Sequence, residues 1–231
     1  MRKLVFIFCV LCCILLISCQ DKAEHAITKS FKEYGEEHFA SSHSIKKIIK
    51  IEPVDTLATK ELVIMAKELA EIAEESEQKR HDLFQSISND KRFYNLANNK
   101  NVPESVKIKT KKSLDNYRDF MNNHGLEYIL LSNSLKEVEN ITDSTVINEY
   151  IIKARIKENG VITVRDFYAI VENGDFEKIK IQDHKLTLEE APETMAQVSK
   201  LLDDFCKLHD MHEEYLNEFE KMHAICGTYI K

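Results

Sequence analysis

The chain reads as an α+β protein in which long amphipathic helices, an antiparallel pair plus a C-terminal helix, pack with a small antiparallel β-meander. Three observations predict this. Five glycines and three prolines in 231 residues leave room for long regular elements. Apolar residues recur at helical period through residues 56–88, 103–120 and 189–225. Two Asn-Gly pairs, Asn159-Gly160 and Asn173-Gly174, interrupt β-branched and aromatic runs between 146 and 183, and Asn-Gly is the strongest short hairpin signal because both turn positions need positive φ.

The first segment stands apart from the fold. Arg2 and Lys3 precede an uninterrupted apolar run of fourteen residues, Leu4 to Ile17, followed by Ser18 and Cys19. A bilayer core needs about 20 apolar residues, whereas the apolar part of an export signal needs roughly 7 to 15. The run is too short to span and fits an export signal over residues 1–18. Leu16-Ile17-Ser18-Cys19 resembles the lipobox of bacterial lipoproteins. The resemblance implies cleavage before Cys19, diacylglycerol on its thiol and an acyl chain on its new amine, a palmitate-type anchor. Several acyl chains hold where one does not, since each buried methylene contributes about 0.8 kcal/mol. Residues 19–24 then form a lipidated Cys and a polar tether, Gln20-Asp21-Lys22-Ala23-Glu24, similar to the acid-rich tether of outer-membrane lipoproteins in Bacteroidetes. The expected location is the bacterial cell envelope, lipid-anchored in the outer membrane.

Removing residues 1–18 takes away Arg2 and Lys3 from 32 basic residues, leaving 30 against 39 acidic ones, a net charge of −9. Phosphate contacts need a basic face, so a nucleic-acid partner is not expected. Of six cysteines, Cys9, Cys12 and Cys13 leave with the signal and Cys19 is the lipid site. Cys206 and Cys226 remain. If one helix runs through both, they sit about 30 Å apart, beyond the roughly 7 Å a bridge allows. No disulfide between them is expected.

Residues 25–231 read as a single α+β domain. Ile27, Phe31, Tyr34 and His38 make one stripe of a helix from Asp21 to about Phe39. Ile45 to Glu52 is a short strand that Pro53 ends. From Thr56 to Ser88 the seam Ala58, Leu62, Met65, Leu69, Ile72, Ser76, Lys79 and Leu83 alternates spacings of four and three. After a loop over Asn98 to Pro103, Pro103 suits the first turn of a second helix, with Val106, Thr110, Ser113, Tyr117 and Phe120 inward. This predicts a helical hairpin around 56–122. Helix resumes after Gly125 through Leu135, or Ile129-Leu130-Leu131 begins a strand.

Folding Asn159-Gly160 as a two-residue loop sets Lys157 opposite Ile162, Lys153 opposite Asp166 and Ile152 opposite Phe167. Opposite charges facing across strands stabilise by roughly 0.2–1 kcal/mol, which supports that register. The β-meander occupies 146–183. From Glu189 to about Ile225 a last helix carries the stripe Val198, Leu201, Phe205, Leu208, His212, Tyr215, Phe219, Met222 and Cys226. It lies along the 56–88 helix or covers the sheet.

One cluster has metal-ligand character. Cys206 and His209 are three apart and His209 and Glu213 four apart in FCKLHDMHEEY, so all three share a helix face. A metal-assisted hydrolase built on His209 and Glu213 would need a further ligand from elsewhere. A solvated face with a partly buried histidine explains the same residues. No nucleophile motif or Gly-rich phosphate loop occurs, and no catalytic residue and no cofactor is assigned. Phe167, Tyr168 and Phe176 are core aromatics or, if helices cover only one face of the sheet, part of a shallow site on the other. Element order and N-terminus together resemble the small Bacteroidetes lipoproteins of unknown function. That implies a non-enzymatic interaction or ligand-binding module, with the membrane and an envelope protein or glycan as partners. A structural role, with the seams forming an oligomer, is the further alternative.

Overall fold

The structure, a computed structural model, describes residues 22–89, 96 and 99–229; residues 1–18, read above as an export signal, Cys19 and Asn98 lie outside them. It has the α+β composition expected of the sequence, and contacts divide it into two compact units. One is Met1–Lys60 with Asp143–Pro192, the other Glu61–Thr142 with Glu193–Lys231. The sequence reads as one domain because an apolar stripe shows that an element buries a face, not which other elements share that face.

The first unit contains helix α1 (22–38), strands β1 (His43–Ala58), β2 (Val146–Glu158), β3 (Val161–Glu172) and β4 (Lys180–Gln182), and a 3-10 turn at Leu188–Glu190. The strands form one antiparallel sheet in the order β1-β2-β3-β4. The meander is as expected; β1 adds a fourth strand beside β2. The Asn159-Gly160 loop gives the anticipated register, with Lys157 opposite Ile162, Lys153 opposite Asp166 and Ile152 opposite Phe167. Both turn residues have positive φ, 49° for Asn159 and 87° for Gly160.

The second Asn-Gly pair does not make a tight hairpin. Asn173 closes instead on β2: its N–H donates to the Val146 carbonyl at 2.7 Å and its Oδ1 accepts from the Val146 N–H at 2.8 Å. The chain then wanders to Lys180 before pairing opposite Ile170.

Pro53 does not end β1. The strand runs through it to Ala58, with Pro53 opposite Tyr150 and a register shift just after it. An edge strand has a side where no ladder donor is required, and a bulge absorbs the local bend, so proline is tolerated there. Helix α1 covers one face of the sheet. Ile27, Phe31 and Phe39 pack on Ile152, Ala154, Ile156, Phe167 and Ala169. Ala23 is buried too, so the helix takes in residues first assigned to the tether. His38 lies outside the core: it is exposed and stacks on Tyr34 at 4.2 Å.

The second unit is a three-helix bundle of α2 (Thr59–Asn89), α3 (Glu104–Glu137) and α4 (Glu193–Tyr229). The expected helical pair is thus a trio. α2 and α3 are antiparallel, Lys67 meeting Glu139 and Phe84 meeting Tyr117. α4 runs antiparallel to α3 and parallel to α2, since Thr110 meets Cys226, Tyr128 meets Phe205, Ser76 meets His212 and Phe84 meets Phe219. Of the two placements open for α4, it lies along α2.

The seam of α2 is rotated from the one expected. Leu62, Ala66, Ala70, Ala73 and Ser76 are buried, whereas Met65 and Ile72 are 50% and 43% exposed. Small side chains let the neighbouring helices approach, so the alanines take the interior and the larger residues stay out. α3 is continuous through Gly125, and Ile129-Leu130-Leu131 is helix. A mid-helix glycine costs about 1 kcal/mol, which packing on both flanks offsets. Of its expected inward residues, Thr110, Ser113, Tyr117 and Phe120 are buried and Val106 is partly buried.

Pro103 is the cap residue, with φ −56° and ψ 140°, rather than part of the first turn. α4 begins later than expected: Ala191, just before Pro192, is extended at φ −68°, ψ 157°, the conformation a following proline favours. Cys206 and Cys226 are free thiols.

Candidate functional site

The second unit brings a polar chain into the middle of its apolar core. His212, on the inward stripe of α4, is fully buried, and both ring nitrogens are used. Its Nδ1 lies 3.1 Å from Ser76 Oγ on α2 and its Nε2 lies 3.0 Å from the Tyr117 hydroxyl on α3. Ser76 Oγ donates its only proton to Glu213 Oε1. Proton counting then assigns the histidine tautomer. Ser76 must accept from Nδ1–H, so Nε2 accepts from Tyr117, and the chain runs Tyr117, His212, Ser76, Glu213.

Each member is held in the state this chain requires. Burial pushes the His212 pKa down to about 4, against a smaller opposing pull from Glu213, so the ring is neutral at pH 7. Burial also raises the Tyr117 and Tyr128 hydroxyls, Tyr128 to about 12, keeping both protonated. Burial opposes ionisation of Glu213, but the Ser76 hydrogen bond and the Lys79 charge outweigh it and hold the carboxyl below its usual range. Lys79 Nζ lies 3.7 Å from Glu213, 3.3 Å from Glu220 and 2.6 Å from Asn217 Oδ1.

The sequence-predicted trio does not converge. His209 Nδ1 is hydrogen-bonded to the Tyr128 hydroxyl at 3.0 Å, Glu213 is committed to Ser76, and Cys206 is exposed. Partial desolvation on the helix surface and the nearby Asp210 and Asp203 raise the Cys206 thiol, opposite to what a thiolate ligand needs. Among the described residues no group of three His, Cys, Asp or Glu side chains is arranged to hold a metal ion. Ser76, His212 and Glu213 carry the residue types of a nucleophilic triad. The hydroxyl, however, donates to the carboxylate rather than to the ring, and Ser76 is only 5% exposed. The arrangement fixes how three helices meet, because removing any one partner would leave a buried polar atom unpaired.

The sequence reading placed Ser76 and Tyr117 on inward stripes but missed their joining His212. The signal available was polar atoms on three separate apolar stripes.

The first unit has two surfaces to weigh. A cleft of about 370 Å³ is lined by Tyr34, His38, Phe39, Glu158, Arg165 and Asp183 among others. The Arg165 guanidinium is already engaged, 3.2 Å from Glu158 and 5.2 Å and 5.0 Å from the Phe39 and Phe167 ring centres. Phe167 itself is core. Asp166 faces the other way, 3.7 Å from Lys153, the structural use anticipated for it.

On that other face, which α1 does not cover, the register sets Lys47 opposite Arg155 and Lys50 opposite Lys153. Lys157 follows one row on, opposite Ile162. Like charges directly opposed on a sheet destabilise it. Lys50 is relieved by Glu52 and Lys153 by Asp166, but Lys47, Arg155 and Lys157 have no ion pair among the described residues. The period-two run Lys153, Arg155, Lys157 was legible in the sequence; that β1 lies beside it was not. No described helix is long and apolar enough to cross a membrane. Comparison with protein-family models, with curated proteins and with solved structures finds no match for this chain.

Proposed function

We propose that the chain is an exported lipoprotein held on the bacterial envelope, in the outer membrane, through an acylated Cys19, and that its folded part is a non-enzymatic interaction module. The observation that carries this is the N-terminal pattern itself: a two-residue positive head, a fourteen-residue apolar run and Leu16-Ile17-Ser18-Cys19. The use made of polar groups supports the second half. Among the described residues the buried constellation with catalytic residue types is internally satisfied and closed, while unpaired cations line an open sheet face.

The test is intact mass of the protein from its native membrane, wild type against Cys19→Ala. A mass equal to residues 19–231 plus acyl chains, lost in the variant, supports the anchor. An unmodified mass overturns it, and hydrolytic or transferase activity in the purified mature chain overturns the non-enzymatic reading.

A further inference from the structure

We propose that this protein associates with a second copy of itself, the open sheet face of one copy docking on the exposed acidic face of helix α2 in another. The inference rests on the reading of the chain as an interaction module and is independent of Cys19. Both surfaces are in the same chain, and each is unusual for the same reason.

The sheet face holds Lys47, Arg155, Lys50 and Lys153 in two directly opposed cationic rows, with Lys157 beyond. Beside these, on β3, Ile162 and Val164 are 57% and 49% exposed. A face of this kind, cations flanked by apolar side chains, is complementary to one on which acids and apolar side chains alternate.

α2 carries such a face. At 100° per residue, Met65, Ile72, Glu61, Glu68, Glu75, Ile64 and Glu71 fall in that order within an arc of about 120°. The three apolar members are all exposed, Ile64 by 49%. The four glutamates are exposed as well, and none makes an ion pair among the described residues. The α2 seam that packs in the bundle lies on the adjoining arc, so this one is free for a partner. Each face therefore combines unpaired charge of one sign with exposed aliphatic side chains. Association would neutralise both charge sets and cover both apolar strips, and its electrostatic part should weaken with salt. Because the contact joins two different patches, it is heterologous, so growth past a dimer is open to it unless two such contacts close.

Charge reversal in both faces tests this. Sedimentation velocity would be run on the mature chain carrying Cys19→Ala, alone and with two variants of it. One is Lys47→Glu with Arg155→Glu and Lys157→Glu, which reverses the three unpaired cations and makes the sheet face acidic. The other is Glu61→Lys with Glu68→Lys, Glu71→Lys and Glu75→Lys, which makes the helix face basic.

The unreversed chain is expected to sediment as a concentration-dependent oligomer that dissociates with added salt. Each reversed variant alone is expected to be a monomer. Their equimolar mixture is expected to associate again, because the acidic sheet of one then meets the basic helix of the other. Misfolding of either variant does not produce that recovery. A chain that stays monomeric at every concentration overturns the proposal, as does a mixture that fails to recover or an oligomer indifferent to both reversals. Failure here with a normal acylated mass would leave the anchor standing and remove only the self-association.

Discussion

The sheet unit and the helical bundle solve the problem of polar groups in opposite ways. In the sheet unit the covered face is apolar and aromatic, Phe31, Phe39 and Phe167 lying 5.0–6.1 Å apart around isoleucines and alanines, and charge is pushed to the other face. The bundle carries a four-residue hydrogen-bonded chain through its core. The difference follows from how each fixes its geometry. A hairpin has its register set by a two-residue turn, so its core needs only to be apolar and of the right volume. Helices joined by long excursions can slide and rotate against each other, and a buried polar chain that is satisfied in one arrangement alone penalises the rest.

The contrast is open to attack from either side. The largest effect is expected from Phe167→Ala, which removes the ring at the centre of the sheet core and should cost about 3–5 kcal/mol in urea unfolding. A cost near 1 kcal/mol would mean that the α1 face is not the unit's stabilising core.

The second attack is by pH. The folded His212 pKa of about 4 lies below the usual unfolded value near 6.5. As pH falls from 6.5 to 4 the unfolded chain takes up a proton that the folded one refuses, so stability present above 6.5 is lost across that window. The full loss is on the order of 3 kcal/mol. Much of it should appear above pH 5, where most carboxylates are still ionised. His212→Gln should flatten this slope; an unchanged slope would show that the ring is not buried neutral.

The smallest effect runs the other way. Lys47→Glu places an acid opposite Arg155 and should stabilise the sheet unit by about 0.2–1 kcal/mol while weakening self-association. A variant destabilised by this change would mean that the opposed cations carry no cost, and with it would go the reason for reading that face as a docking surface.

The two units were also unequally legible. Asn159-Gly160 yielded strand pairing residue by residue, because positive φ at two adjacent positions admits one kind of loop and the loop sets every pair behind it. Ile27, Phe31, Tyr117 and Phe120 were correctly placed inward by period alone. The α2 seam was not. Met65 and Ile72 are more apolar than Ala66 and Ala73, yet close helix contact selects for size, and hydrophobic pattern alone does not rank by size. Pro53 misled because its cost depends on whether the strand is an edge, which is decided by a partner, Tyr150, 97 residues away. The trio Cys206, His209 and Glu213 shared a helix face as expected, but Tyr128 and Ser76 reached two of them first.

What the sequence determined by itself was local: the α+β class, the register of the first hairpin and the inward residues Thr110, Ser113, Tyr117 and Phe120 of α3. Each depends on residues within about one turn or one loop of each other, where backbone sterics and periodicity act directly. Only the tertiary structure decided that β1 joins β2, that α4 lies along α2 and α3, that four side chains from three helices form one proton-ordered chain, and that two cationic rows face each other across the open sheet. Those depend on which surfaces meet, a choice made by volume, charge and the satisfaction of buried polar atoms summed over the whole chain.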